Sequence, residues 1–184
     1  MVLFFGPPGS GKSVQGQLLV ERNNWRWIST GDLFRSSQDP EVLSRMASGE
    51  LIDDELTNKV LADALAAISA DTDVVLDGYP RNISQAEWLD AHLAEYGRSI
   101  DCIILFDVPH DVLVERLAGR GRSEDTLDVI THRLDIYQQK TSPILDFYRT
   151  NGKSIQVVDG AGEIQAIHER VQEAVTHARH PDKV

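Results

Sequence analysis

Residues Gly6 to Ser13 read GPPGSGKS, matching G-x-x-x-x-G-K-[ST] directly after the apolar run Val2 to Phe5 and directly before a segment of helical period. These residue types at this spacing build a phosphate site. Gly9 and Gly11 let the backbone curl so that successive N–H groups and the following helix N-terminus face an anion. Lys12 then neutralises the β and γ oxygens, and the Ser13 hydroxyl stands where it would contact Mg2+. The pattern therefore predicts binding of a nucleoside triphosphate with Mg2+.

Thirteen of the 18 cationic side chains are Arg, and they recur in short motifs: Arg35 after STGD, Arg81 in LDGYPR, Arg116, Arg120 and Arg122 in ERLAGRGR, and Arg133 in THRLD. Planar guanidinium forks suit phosphate. Arg116 and Arg120, four apart, share one helix face and repel each other unless an anion sits between them. The alternative is a solvated face paired with Glu115 and Glu124. Asp77 and Asp107 each end an apolar run, and ligands gather at strand carboxyl ends in open α/β sheets. Asp77 is the better candidate for Mg2+-bound water, whereas Asp107 is as well suited to capping the helix that follows.

The elements that must position these residues alternate between short apolar runs and longer segments of helical period, the pattern of a parallel sheet with helices on both faces. Strands are expected at Val2 to Phe5, Trp27 to Ile28, Val74 to Leu76, Ile100 to Phe106 and Ser154 to Val158. Helices are expected at Gly11 to Arg22, Glu41 to Ser48, Asp54 to Ala70, Ser84 to Tyr96, Asp111 to Leu117, Thr126 to Thr150 and Glu163 to His177. The stretch from Ser29 to Ala70 is too long for one crossover helix and breaks at Asp39-Pro40 and at Gly49, so it predicts a small helical insertion. The tail HARHPDKV is expected to fray.

At 184 residues the chain has the length of one domain. Hydrophobic residues at 41% and charged residues at 26% exclude a disordered, collagen-like or disulfide-stapled protein. A net charge of −11 repels nucleic acid and anionic membrane over most of the surface, so any bound polyanion must meet a local exception. Cys102 is the single cysteine, which excludes an intrachain disulfide and a Cys-rich zinc site and fits a reducing cytoplasm. The opening MVLFFGPPG is too short and too neutral for a signal-peptide core and reads as a strand. Trp25, Trp27 and Trp88 read as packing residues, and His132 as a surface side chain.

Taken in order, the motifs resemble the adenylate kinase family of nucleoside monophosphate kinases. The resemblance runs from the phosphate loop through ISTGDLFR, GELIDDEL, VLDGYPRNISQAEWL, LFDVPHDVLVERLAGR, GRSEDTLDVITHRLDIYQQKTSPILDFY and VVDG. It implies the P-loop NTPase three-layer fold: a parallel five-stranded sheet flanked by helices, in a single kinase domain over residues 1–184. An AMP-binding lobe at residues 29–52 and a short lid loop without zinc at residues 119–125 would be set into it. It also implies Mg2+-dependent transfer of a phosphoryl group from ATP to AMP, giving two ADP, in a cytoplasmic monomer.

By the same resemblance, Gly9, Ser10, Gly11, Lys12, Ser13, Val14, Arg116, Arg120 and Gly162 would bind ATP. Thr30, Arg35, Glu50, Leu51, Ile52, Gly78, Tyr79, Pro80, Arg81, Gln85, Arg122 and Arg133 would bind AMP. Lys12, Arg81, Arg120, Arg122 and Arg133 would be catalytic, with Ser13 and Asp77 facing Mg2+ mostly through water. Gln85 offers an amide acceptor and donor to the adenine edge. Pyrimidine-specific relatives usually carry Asn there, so the family pattern favours AMP. The alternatives are a kinase for UMP or CMP and an ATP-binding regulator of the same fold. Two departures stand out: GKSVQ replaces the usual GKGTQ, and the lobe between Arg35 and Leu51 is several residues shorter.

Overall fold

The computed structural model describes residues 1–121 and 125–179. Within these residues, β1 (Val2–Phe5), β2 (Arg26–Ser29), β3 (Val74–Asp77), β4 (Cys102–Asp107) and β5 (Ile155–Asp159) form one all-parallel sheet in the order β2-β3-β1-β4-β5. Parallel strands buried on both faces read as continuous apolar runs, and β1 does so. Leu3 and Phe5 join one core with Leu61, Leu89, Ile144 and Tyr148, while Val2 and Phe4 join the other with Leu19, Ile104, Ile167 and Val171.

The first face is covered by α4 (Asp54–Ala66), α5 (Ile83–His92) and α8 (Ile144–Thr150), and the second by α1 (Lys12–Asn23) and α9 (Ile164–Arg179). This is the three-layer α/β architecture expected. A third, smaller cluster of Phe34, Val42 and Ile52 is closed by Met46, Leu56 and Val60. It packs α2 (Thr30–Arg35) and α3 (Pro40–Ser48) against α4, giving the segment between β2 and β3 an apolar centre of its own. The remaining helices are α6 (His110–Gly119) and α7 (Leu127–Ile136). Among the described residues, no helix is long and apolar enough to cross a membrane.

Several expected bounds are corrected. The stretch from Thr126 to Thr150 is not one helix: α7 ends at Ile136, a π-turn spans Tyr137–Thr141, and α8 restarts at Ile144. Pro143 has no N–H to continue the ladder, and Ser142 N donates five residues back to Tyr137 O at 2.8 Å. The helix from Asp54 stops at Ala66, and the one expected to reach Tyr96 ends at His92, followed by a 3-10 turn over Leu93–Tyr96. α2, not expected at all, is six residues long, with the Ser29 hydroxyl accepting from Asp32 N at its start. The last helix extends to Arg179, so the beginning of the expected frayed tail is ordered. Arg179 donates to both carboxylate oxygens of Asp73 (2.6 and 2.9 Å) and to Asp101 (2.5 Å), with its guanidinium 4.4 Å above the Trp25 ring. Residues 180–184 lie outside the described residues.

The tryptophans pack. Trp25 and Trp27 lie against the α1/α9 core, and Trp88 lies against the other core, stacked on His92. Gly16, in the middle of α1, lies flat on Trp27: a Cβ there would sit 1.9 Å from Trp27 Cζ3. Ala normally favours a helix interior over Gly by about 1 kcal/mol. Here the indole must move, so we expect Gly16→Ala to destabilise the fold by roughly 1–3 kcal/mol in urea unfolding. The double variant Gly16→Ala/Trp27→Leu should recover part of that loss, and a Gly16→Ala protein as stable as the parent would contradict this packing.

Candidate active site

β1 delivers the chain into the loop at Gly6, and α1 begins at Lys12 with Gly11 as its N-cap at φ 92°. The uncapped amides of that first helical turn face a cleft of about 630 Å3. Gly9 is required by close approach as well as by its φ of +84°. A Cβ there would fall 2.9 Å from Leu117 Cγ and 3.0 Å from Leu113 O, both on α6. Lys12 Nζ donates to Gly6 O (2.7 Å), Pro7 O (2.9 Å) and Ser10 Oγ (3.2 Å), which holds the ammonium against the loop. Burial pushes its pKa from 10.5 down to about 8; Asp77 opposes this, and Arg81 and Arg120 add to it.

Ser13 Oγ donates to Asp77 Oδ2 at 3.3 Å, and Asp77 closes β3 beside β1. The other carboxylate oxygen, Asp77 Oδ1, is buried without a hydrogen-bond partner among the described residues. An unpaired buried carboxylate oxygen beside a hydroxyl, at the rim of an anion-binding loop, fits a hard divalent cation that keeps most of its water. Asp107 does neither of the things weighed for it. Its side chain is exposed and outside the cleft lining, and α6 starts at His110 with Pro109 as its N-cap and no side-chain cap.

The facing wall is built from the β3 end and the lobe. Thr30 Oγ1 and Arg81 Nε both donate to Gly78 O, at 2.8 and 2.7 Å. Gly78 has φ +78°, and a Cβ there would lie 2.8 Å from Thr30 Oγ1, so this junction admits only glycine. The Tyr79–Pro80 bond is cis. Thr141, in the π-turn, donates to Arg81 O at 3.0 Å and ties this wall to the segment after α7. Gln85 is buried, with Oε1 accepting from Arg81 N at 2.7 Å and Nε2 donating to Asp54 Oδ1 at 2.8 Å. Arg35 pairs with Asp32, and Glu50, Leu51 and Ile52 line the cleft after α3.

On the third side Arg116 donates to Gly160 O at 2.9 Å. Arg120 makes a bidentate pair with Asp125, both bonds 2.7 Å, and Arg133 donates to Asp125 Oδ1 at 2.9 Å. The Asp125 side chain is 2% exposed. Arg133 also donates to Met46 O at 2.9 Å, reaching across the cleft to α3. Arg122 and two further residues of the expected lid lie outside the described residues. Among the described ones, a single cleft brings together Gly9, Gly11, Lys12, Ser13, Val14, Arg116, Arg120 and Gly162 with Thr30, Arg35, Tyr79, Pro80, Arg81, Gln85 and Arg133. Ser10 is buried within the loop.

The sequence singled out the cations and the Gln85 amide of this cleft and missed the groups that hold them: Asp125 between two arginines, Asp54 on Gln85, and Thr141 on Arg81. It also missed Gln15, whose Nε2 donates to Ile164 O at 2.9 Å and whose Oε1 lies 3.2 Å from Nδ1 of the buried His168, fixing α1 to α9. Cys102 is buried in β4 with its thiol pushed up to about 11, mainly by burial, and has no part in the cleft.

The family model described as adenylate kinase matches residues 4–153. The chain belongs to the adenylate kinase family. It is 40% identical to an adenylate kinase of a Synechococcus strain over 179 residues, covering 93% of this chain and 96% of the relative. It is 39% identical to that of Nocardia farcinica over 180 residues, 95% and 98% of the two chains. With that of Micrococcus luteus it shares 40% identity over 188 residues, 97% and 91% of the two chains. This family member is thus a phosphotransferase of the nucleoside monophosphate kinase type, with adenylate kinase function.

The depressed Lys12 gives the kinase a pH signature. Ligand-free, Lys12 is cationic below about 8 and neutral above it. A bound polyphosphate favours the ammonium, so binding above that pH takes up a proton, and affinity falls by up to about tenfold per pH unit towards the ordinary lysine range. Calorimetric titration with ATP from pH 7 to 9.5 should show this slope, with proton uptake in buffers of differing ionisation enthalpy. Lys12→Met should remove it, and a flat profile in the parent would sink the assignment.

Proposed function

We propose that the enzyme transfers the γ-phosphoryl group of ATP to AMP, giving two ADP, as a cytoplasmic monomer. The observation that carries this reading is the single cleft shared by the phosphate loop and the Thr30–Arg81–Gln85 wall, which gives two nucleotides one meeting place. Gly9 to Val14 hold the triphosphate of ATP, with Arg116 and Gly162 at its base. Thr30, Arg35, the Glu50 to Ile52 backbone, Gly78 to Arg81 and Gln85 hold AMP. Residues 29–52 act as the AMP lobe and residues 119–125 as the lid, with Arg122 assigned to the site on its motif alone.

The AMP phosphate is already an anionic nucleophile, so no general base is required. One of its oxygens forms the new P–O bond while the bond from the γ-phosphorus to the β-γ bridging oxygen breaks, and ADP leaves with that electron pair. The obstacle is repulsion between two polyanions. Lys12, Arg81, Arg120 and Arg133 offset it, and they stabilise the charge spread over the equatorial oxygens of the transferring group. Ser13 and Asp77 would hold Mg2+, mostly through water, and the ion supplies charge neutralisation and alignment at the β and γ oxygens. Closure of lobe and lid would exclude water, which otherwise competes for the phosphoryl group.

The test is a coupled assay of ADP formation from Mg-ATP with AMP, CMP, UMP, GMP or no acceptor, run in parallel. Turnover should depend on AMP. A preference for CMP or UMP would reassign the acceptor, and slow hydrolysis indifferent to any acceptor would point to the ATP-binding regulator instead. Arg133→Ala should lower kcat at least 10³-fold, roughly 4 kcal/mol of transition-state stabilisation, as measured in the same assay.

A further inference from the structure

Gln85 carries the acceptor reading, yet a carboxamide alone recognises no base. It has two N–H donors at one end and two acceptor lone pairs at the other, and rotating it by 180° exchanges them. What a ligand meets depends on which way the amide is held. Two groups hold it here. Arg81 N donates to Oε1 at 2.7 Å, and Asp54 Oδ1 accepts from Nε2 at 2.8 Å. The flipped amide would set NH2 against an N–H and a carbonyl against a carboxylate, a clash at both ends.

Asp54 is itself held in place. It opens α4, its Oδ1 also accepts from Asn82 Nδ2 at 2.8 Å, and Asn82 Oδ1 caps α5 by accepting from Gln85 N at 2.9 Å. One helical turn on, Asn58 accepts from the Tyr79 hydroxyl at 2.6 Å. The start of α4 is thereby joined to the start of α5 and to the β3 end through Asp54, Asn58, Tyr79, Asn82 and Gln85. After Arg81 and Asp54 have taken their share, Gln85, which lines the cleft, keeps one N–H and one lone pair at the end of its amide.

We propose that Asp54, which does not itself line the cleft, is a specificity-determining positioning residue: it locks the Gln85 amide in the orientation that reads a 6-amino purine monophosphate and rejects a 6-oxo one. A 6-amino purine presents an exocyclic donor beside a ring-nitrogen acceptor, the complement of the lone pair and N–H that remain. A 6-oxo purine presents the reverse pair and would leave both buried groups of Gln85 unsatisfied, the kind of mismatch that discriminates strongly. The proposal rests on the reading that Gln85 faces the acceptor base.

Steady-state kinetics with AMP and with IMP, on the full chain, test both. Asp54→Ala should raise the KM for AMP about tenfold and shrink the AMP-over-IMP preference by a similar factor, leaving kcat at saturating AMP and the KM for ATP within threefold. Asp54→Asn keeps an acceptor oxygen toward Nε2 and should restore the parent values, which a loss of general packing would not predict. If Asp54→Ala melts below the assay temperature, Asp54→Glu, with its carboxylate displaced by one methylene, carries the same expectation. An unchanged KM and preference in the folded variant, or a parallel loss in both the AMP and ATP parameters, overturns the proposal. Gln85→Leu separates the two claims. If it leaves the KM for AMP unchanged, the base is not read at Gln85 and the underlying assignment fails. If it raises that KM while Asp54→Ala does not, only the role of Asp54 falls.

Discussion

Repulsion between like charges is the constraint on which this structure is organised. An acidic chain of net charge −11 must gather Lys12, Arg81, Arg120 and Arg133 around one cleft, and in the folded protein those cations face one another before any phosphate arrives. Two carboxylates offset the repulsion. Asp77 lies beneath the phosphate loop, where its charge opposes the burial that depresses Lys12. Asp125, nearly inaccessible, accepts from Arg120 and Arg133 at once, as a phosphoryl group would. Both guanidinium forks are thereby held in fixed orientations at the cleft.

The sheet supplies the rigidity this demands. β1 and β3 are neighbours with parallel register, so their carboxyl ends emerge side by side, one running into the phosphate loop and the other into Asp77-Gly78. Strands buried on both faces allow neither end to drift, and the loop geometry is inherited from them. The lobe is anchored differently. Its Phe34–Val42–Ile52 cluster is separate from the two sheet cores, and α4 belongs to both the cluster and the core, because Leu56 and Val60 face one while Leu61 and Leu65 face the other. Such a shared helix lets a small lobe keep its own packing while its base stays fixed.

What was legible in the sequence was what is local. The phosphate loop is eight consecutive residues, each of the five strands carries a short apolar run, and Gln85 and the arginines sit inside compact motifs. What was not legible depends on long-range partners. Asp54 and Asp125 lie inside family motifs, yet nothing in those segments names their roles, because these depend on partners on other elements. α2 was invisible because six residues that include Gly31 show no helical period, and its stability comes from a Ser29 cap and from Phe34 in the lobe cluster. Arg179 was assigned to a frayed tail because its ties to Asp73 and Asp101 span 106 and 78 residues.

The two departures from the family pattern take on physical content in the same frame. In GKSVQ the hydroxyl moves one position, to Ser13, and from there it reaches Asp77 Oδ2 at 3.3 Å, so a hydroxyl and a carboxylate meet at the edge of the loop. Val14, 45% exposed and lining the cleft, leaves an apolar side chain where the family usually has a hydroxyl, so the backbone N–H at that position is the group left to meet an anion. In the segment between Arg35 and Leu51, α3 ends at Ser48, Gly49 turns the chain with φ 81°, and Arg133 bonds Met46 O across the cleft. That contact ties α3 to α7, while Thr30, Arg81 and Gln85 form the facing wall, held by Gly78 O and Asp54.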